Sequence, residues 1–315
     1  MSGESRRRAR RAIHGVLLLD KPVGITSNAA LQAAKRLFAA AKAGHTGTLD
    51  PLASGLLPIC FGDATKFGAV LLDADKRYVA RIKLGVRTST SDAEGEVLER
   101  RTVAVDAAAL DAAAARFRGE IRQVPPMHSA LKHAGRALYD YARAGMEIDR
   151  APRPVRIHAL AWRDLAGDEL TLEVRCSKGT YIRTLAEDLG AALGCGAHLA
   201  ALRRTGVGDA DVEQALALEA LEALPADARV ARLLPADHLL AALPAITLDA
   251  EAAGDLRQGR LAKAGSLAGV GLCRAYGPGE RFLGLAEATC DGRLRPRRLI
   301  AGDSRAGLPE PCANS

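Results

Sequence analysis

The sequence predicts an α+β fold, and three observations carry that prediction. Short alternating apolar stretches, such as 78–84 and 170–176, have the two-residue period of half-buried strands. Between them, 28–41, 106–117 and 181–193 have helical periodicity or composition. From Ile246 onward the texture changes to short, glycine-rich segments that suit a small β-rich module. Hydrophobic residues make up 48% of the chain but aromatics only 3%, so Leu, Val, Ile and Ala must fill the core.

In chain order, 15–20 reads as a buried strand stopped by Lys21-Pro22 and Val23-Gly24. Ser27 is placed to cap a helix over 28–41, with Leu31, Ala34, Leu37 and Phe38 on one face. The stretch from Gly44 to Pro51, GHTGTLDP, follows. Two glycines within four residues and then Asp-Pro exclude a helix or regular strand across His45 to Pro51. Pro51 fixes its own φ and pushes Asp50 toward extended geometry, so the carboxylate stands on a stiff loop. The apolar run Leu56 to Phe61 anchors that loop in a core. A single acid on a rigid turn backed by buried structure is how a scaffold presents a reacting group. An isolated Asp-Pro pair reads first as a capped surface turn; the density of unusual residues around this one favours the reacting group.

Residues 64–73 read as helical, and 87–95, RTSTSDAEG, as a polar loop without an apolar anchor. An Ala-rich helix over 106–117 leads to 123–127, which Pro125-Pro126 breaks. The stretch 128–153 carries Lys132, His133, Arg136, Arg143, Arg150 and Arg153 around one short helix at 138–144, a basic excursion. Strands are expected at 155–163, 170–176 and 199–207, with Gly179 turning into the helix over 181–193. The Leu/Ala-rich stretch 213–243 reads as mostly helical, interrupted at Pro225 and Pro235.

The formal charge is +7, from 44 basic and 37 acidic residues. Arg6, Arg7, Arg8, Arg10 and Arg11 supply much of the excess. Residues 1–12 therefore read as a disordered basic arm, suited to nucleic acid or to mere solubility, and 303–315 as a disordered tail. The six cysteines form no CxxC pair and have no histidines at zinc-finger spacing, so buried free thiols are expected. No apolar window has the length of a signal core or membrane span, which points to the cytoplasm. There is no GxGxxG after a strand and no GxxxxGK[ST] loop, and no cofactor or metal is expected.

GHTGTLDPLASG, with GVLLLDKPVGITS upstream, closely resembles the TruB family of bacterial tRNA pseudouridine synthases, which isomerise uridine 55 of the T-loop. The likeness continues through DKRYVARIKLG (75–85), SALK (129–132), CSKGTYIRTLAEDLG (176–190) and LRRT (202–205). The resemblance implies a pseudouridine-synthase core over 13–245, with a mixed, mainly antiparallel sheet flanked by helices. It implies an RNA-gripping insertion at 128–153, in which Lys132, Arg136 and Arg143 are the expected RNA contacts. A PUA-like RNA-binding domain over 246–302 is likewise implied.

For the site, the resemblance implies Asp50 as catalytic carboxylate, Arg183 as its cationic partner and Tyr78 as the base-stacking tyrosine. Tyr181 matches a second base contact and Leu202 an apolar pocket wall. His45 matches the residue that fills the gap left by an extruded nucleotide, and Lys21 a pocket or phosphate contact. His128 stands where many relatives carry tyrosine. The implied partner is the T-arm of tRNA, bound by a monomer with no obligate protein partner. A reading from a different class is an RNA-binding or tRNA-folding protein without isomerase activity. A third is the catalytic subunit of a guide-RNA particle, whose long lysine-rich tails this chain lacks.

Overall fold

The structure is a computed structural model that describes residues 10–129, 131–265 and 271–301. It divides into two compact units. One contains the chain up to Asp50, Leu56–Leu72 and everything from Gly208; the other contains Pro51–Gly55 and Asp73–Val207.

The first unit opens on β1 (Gly15–Lys21), whose Val16, Leu17, Leu18 and Leu19 are all buried, as a strand covered on both faces must be. Helix α1 (Ser27–Leu37) turns Ala30, Leu31 and Ala34 inward. Its cap is Thr26, whose hydroxyl accepts the Ala29 N–H at 3.0 Å; the Ser27 hydroxyl, expected in that role, is taken by a tertiary contact described below. The helix stops at Leu37, short of the expected residue 41, because the next backbone pairs elsewhere. The Arg11 N–H donates to Ala39 O at 2.7 Å, and Arg11 O accepts from the Ala41 N–H at 2.9 Å. Ordered structure therefore reaches back into the arm expected to be disordered, and residues 1–9 of that arm lie outside the described residues.

Strand β2 (Ala43–His45) pairs antiparallel with β3 (Ala53–Phe61), Ala43 opposite Phe61 and His45 opposite Ile59. His45 is thus the end of a strand rather than part of the irregular stretch, because β3 satisfies its backbone. A 3₁₀ turn over Gly62–Phe67 and α2 (Gly68–Asp73) complete this part.

The second unit is built on β4 (Lys76–Leu84), β5 (Val86–Thr88), β6 (Val97–Arg100), α3 (Ala107–Ala115), β7 (Gly119–Gln123), β8 (Lys132–His133), β9 (Arg136–Ala137) and α4 (Leu138–Arg143), then β10 (Arg153–Ala166), β11 (Glu169–Cys176), α5 (Ile182–Ala192) and β12 (Ala197–Val207). Its sheet runs from the first residues of β3 through β12, β4, β11, β10 and β7. β12 is parallel to β3 and antiparallel to β4, and the remaining pairs are antiparallel, which gives the expected mixed sheet. Ala80, Ile82, Leu84, Leu172 and Val174 pack on one face with Leu110 of α3 and Leu185 and Leu189 of α5. Intervening residues turn to solvent, where Lys83 meets Asp168 at 2.6 Å and Arg175 meets Asp75 at 3.3 Å.

The chain then returns to the first unit. The expected mostly helical stretch 213–243 is in fact short pieces: β13 (Ala210–Asp211) and a 3₁₀ turn precede β14 (Leu216–Ala217), α6 (Leu218–Ala223) and α7 (Ala226–Val230). β14 pairs in parallel with β1, and Pro225 separates the two helices. Beyond them, β15 (Ala245–Thr247), α8 (Ala250–Arg257), β16 (Ala262–Lys263), β17 (Leu272–Gly277), β18 (Arg281–Ala288) and β19 (Arg293–Leu299) form a five-stranded sheet with its own core of Leu256, Cys273, Ala275, Leu283 and Leu294. Asp63 ties this module down: it pairs with Lys66 at 2.7 Å and accepts the Ala301 N–H at 2.9 Å. Burial works to raise the Asp63 carboxyl, but those hydrogen bonds hold it below its ordinary range.

No helix among the described residues is long and apolar enough to cross a membrane. Cys60, Cys176, Cys195 and Cys273 are buried free thiols as expected, whereas Cys290 is exposed and Cys312 lies outside the described residues.

Candidate active site

In the first unit, Asp50 is half-buried at the end of the loop after β2. Gly47 takes φ +114°, a left-handed conformation that glycine adopts without penalty, and lets the chain turn there. The residue before Asp50 is clamped: the Leu49 N–H donates to Ser27 Oγ at 2.7 Å, and that hydroxyl donates to Leu49 O at 2.9 Å. Lys21 is fully buried, and its ammonium donates to the carbonyls of Pro22 at 2.8 Å and Ile25 at 2.7 Å, knitting the turn after β1. His45 is half-buried at the end of β2.

In the second unit, Arg183 lies in the first turn of α5 and is 6% exposed. Its Nη1 is 3.4 Å from Asp92 Oδ2, and its Nη2 donates to His128 O at 2.6 Å. Asp92 is itself 2% exposed and accepts from the Thr90 hydroxyl at 2.5 Å and the Glu94 N–H at 3.1 Å. Taking two charges out of water costs several kcal/mol per ion, recovered only where further hydrogen bonds satisfy them, as they do here. Segment 87–95 is consequently anchored without an apolar side chain. Its anchors are polar: buried Thr88 and Asp92, and backbone bonds of Ser91 and Ala93 to Leu199, each at 3.0 Å.

Tyr78 on β4 is half-buried and sits between Val174 on β11 and Arg204 on β12. Two residues along, Leu202 lies across from Ala80, and Leu202 and Tyr78 both pack on the same core. Arg204 is 1% exposed, and burial together with its positive charge pushes the Lys76 ammonium down to about 8. Tyr181 is the N-cap residue of α5, and its side chain makes no capping bond. Its backbone is held instead by Gln123, whose Oε1 accepts the Tyr181 N–H at 3.0 Å and whose Nε2 donates to Tyr181 O at 3.2 Å. Beside this helix start, Thr90, Ser91, His128, Thr184, Glu187 and Asp188 contribute to a polar cavity of about 380 Å³. Burial and the neighbouring Glu187 push the Asp188 carboxyl up to about 6.

Lys132, Arg136 and Arg143 are exposed on β8, β9 and α4. The Arg136 guanidinium lies 4.8 Å over the Tyr141 ring, and that of Arg143 lies 5.5 Å over Tyr139. Among the described residues, no group of His, Cys, Asp or Glu is arranged to hold a metal ion.

Within its unit the structure thus sets Tyr78 and Leu202 on one core, and Tyr181 and Arg183 at one helix start. Lys132, Arg136 and Arg143 share one small hairpin-and-helix element. Sequence reasoning missed Ser27 as a clamp, Asp92, Gln123 and Arg204. The signal for Asp92 was available in the run of hydroxyls Thr88-Ser89-Thr90-Ser91 before it. Gln123 offered none, since a lone glutamine at a strand end is unremarkable.

Three family profiles match the chain in succession. The one described as TruB family pseudouridylate synthase, N-terminal domain, matches 35–182. The tRNA pseudouridylate synthase B C-terminal domain matches 183–241, and the pseudouridine synthase II TruB C-terminal profile matches 244–300. The chain is 57% identical over 300 residues to tRNA pseudouridine synthase B of Burkholderia mallei, covering 93% of this chain and 96% of that one. It is 61% identical over 293 residues to the protein of the same name from Thiobacillus denitrificans, covering 93% and 98%. Among solved structures it resembles the chain in an archaeal box H/ACA sRNP Nop10-Cbf5 complex, with a TM-score of 0.70 at 24% identity, covering 95% of this chain and 89% of that one. That last likeness concerns the fold alone.

Proposed function

We propose a function from one premise: the chain belongs to the TruB family of pseudouridylate synthases. The reaction it carries out is the isomerisation of uridine in the T-loop of tRNA, at position 55, to pseudouridine. The C1′–N1 bond breaks, uracil turns over, and C5 bonds to C1′. The hydrogen leaving C5 is balanced by a proton taken up at N1, so substrate and product are isomers.

Asp50 is the catalytic carboxylate. Charge developing at the sugar is oxocarbenium-like, and a carboxylate beside it either traps C1′ or takes a sugar proton on a glycal route. In the family's pattern Arg183 is the cationic partner of such a carboxylate, Tyr78 stacks on the extruded uracil, and Tyr181 and Leu202 contact the base. His45 fills the gap left in the loop, and Lys21 shapes the turn that leads into this site. Flipping the base costs roughly a few kcal/mol, recovered by stacking and backbone contacts. Lys132, Arg136 and Arg143 supply such contacts from the insertion 128–153. The β-rich module 246–302 is a PUA-like RNA-binding domain attached to the catalytic domain 13–245. The enzyme works as a cytoplasmic monomer.

The observation that carries this reading is the setting of Asp50. A half-exposed acid follows a backbone residue that is 3% exposed and hydrogen-bonded through both its polar groups. A capped surface turn needs no such support. The test is tritium release from tRNA labelled at uracil C5, with wild type and Asp50→Asn side by side. Release by wild type alone is expected, with tRNA affinity little changed because phosphate contacts dominate it. Binding without release by either protein would instead establish an RNA-binding protein.

A further inference from the structure

We propose that Ser27 and Gln123 are positioning residues, each of which holds a catalytic side chain by clamping the backbone just before it. The proposal rests on the reading of Asp50 and Arg183 as catalytic. The two clamps have one design. In each, a single buried side chain closes hydrogen bonds with both the N–H and the carbonyl of one residue distant in sequence. Ser27, 22 residues from its partner, does this to Leu49, and Gln123, 58 residues away, does it to Tyr181. Both clamping side chains are 2% exposed, so water does not compete for the bonds.

The clamped residues are the ones that need holding. Leu49 immediately precedes Asp50, and Tyr181 lies two residues before Arg183. Each is also preceded by a left-handed glycine, Gly47 at φ +114° and Gly179 at φ +77°. A glycine gives the chain its sharp turn and leaves it free to turn otherwise. The clamp removes that freedom downstream of the glycine, where an error in direction is carried to the reacting group. At α5 the need is greater, because the N-cap side chain makes no capping bond and the Tyr181 carbonyl must also accept the Leu185 N–H, at 3.0 Å. Gln123 begins a stretch that grips the helix start twice. Five residues on, past Pro125-Pro126, the His128 carbonyl takes the Arg183 guanidinium at 2.6 Å.

A merely structural role predicts loss of stability alone, whereas a positioning role predicts loss of the chemical step. The experiment measures single-turnover tritium release, tRNA affinity and thermal unfolding for Ser27→Ala and Gln123→Met. Leu110→Ala, a core truncation on α3, serves as the stability control at a temperature where all variants are folded. Each clamp variant is expected to release tritium about tenfold or more slowly, with affinity within about threefold of wild type. The control is expected to keep the wild-type rate. Ser27→Thr, which keeps the hydroxyl, is expected to recover most of the lost rate. Clamp variants as fast as the control overturn the proposal. Should Ser27→Ala or Gln123→Met fail to fold, Gln123→Glu decides, since it keeps the acceptor for the Tyr181 N–H and loses the donor: slower release with intact binding supports the proposal, and wild-type release overturns it. No release from wild type overturns the enzymatic reading and this inference with it, whereas active wild type with equally active clamp variants overturns this inference alone.

Discussion

Two stretches of the second unit carry arginines in opposite settings. At the start of α5, Arg183 is enclosed, with a buried acid and a backbone carbonyl as partners. Along β8, β9 and α4, Arg136 and Arg143 lie open to solvent across exposed or half-exposed tyrosine rings. The difference separates two uses of one residue type. A guanidinium fixed by several bonds has a single direction and can hold a reacting group to it. One lying across a ring in water keeps its reach and its hydration, which suits a polyanion whose phosphates must be found and released. The two settings meet at one atom, the His128 carbonyl, where the basic insertion begins.

Three variants sharpen that contrast or break it. The largest effect is expected from Arg183→Lys. A lysine keeps the charge but not the planar fork that reaches Asp92, Thr90 and His128 together, so the saturated rate should fall about 100-fold or more while tRNA affinity changes little. A loss confined to affinity would make Arg183 one more RNA contact. Next, Arg136→Ala with Arg143→Ala should weaken tRNA binding and reduce the slope of log affinity against log salt by about two. An unchanged slope would mean that these guanidiniums only cover their tyrosines.

The smallest effect is expected at Asp188, on the same helix as Arg183. Its carboxyl rises from an ordinary 3.8 to about 6 on folding. The native state therefore holds a proton that the unfolded chain has lost between those values, and stability declines as pH rises through the window. Asp188→Asn should thus be more stable than wild type at pH 7.5, by about 1 kcal/mol once solvent screening is allowed for, with the gain gone near pH 4. Unfolding curves at the two pH values check it. An equal gain at both would make the effect one of packing.

Much of the fold was legible because its signals are local. The aliphatic run Val16 to Leu19, the alternation along β4 and β11, and the break at Gly179 each need only neighbouring residues. What was misread depended on partners far away. Ser27 and Thr26 are both competent helix caps, and the choice between them was made by Leu49, 22 residues on. Segment 87–95 was read as lacking an apolar anchor, and the polar partners that hold it, Arg183 and Leu199, were not visible from its own residues. The short pieces within 213–243 have helix-forming composition, yet β14 is drawn into pairing with β1.

The site divides in the same way. GHTGTLDP and GTYIRT were readable as motifs, because glycine, proline and an isolated charge constrain a backbone wherever they occur. By itself the sequence determined the residue types and stiff turns of the chemistry, the apolar periods of the core and the family to which they point. Only the tertiary structure decided that Asp92 would be the buried counter-charge of Arg183, that Gln123 would hold Tyr181, and that Arg204 would lie beside Tyr78. Propensity and pattern act over a few residues, whereas burying a charge or a backbone amide demands a partner that only the completed sheet and helix bring within hydrogen-bonding distance.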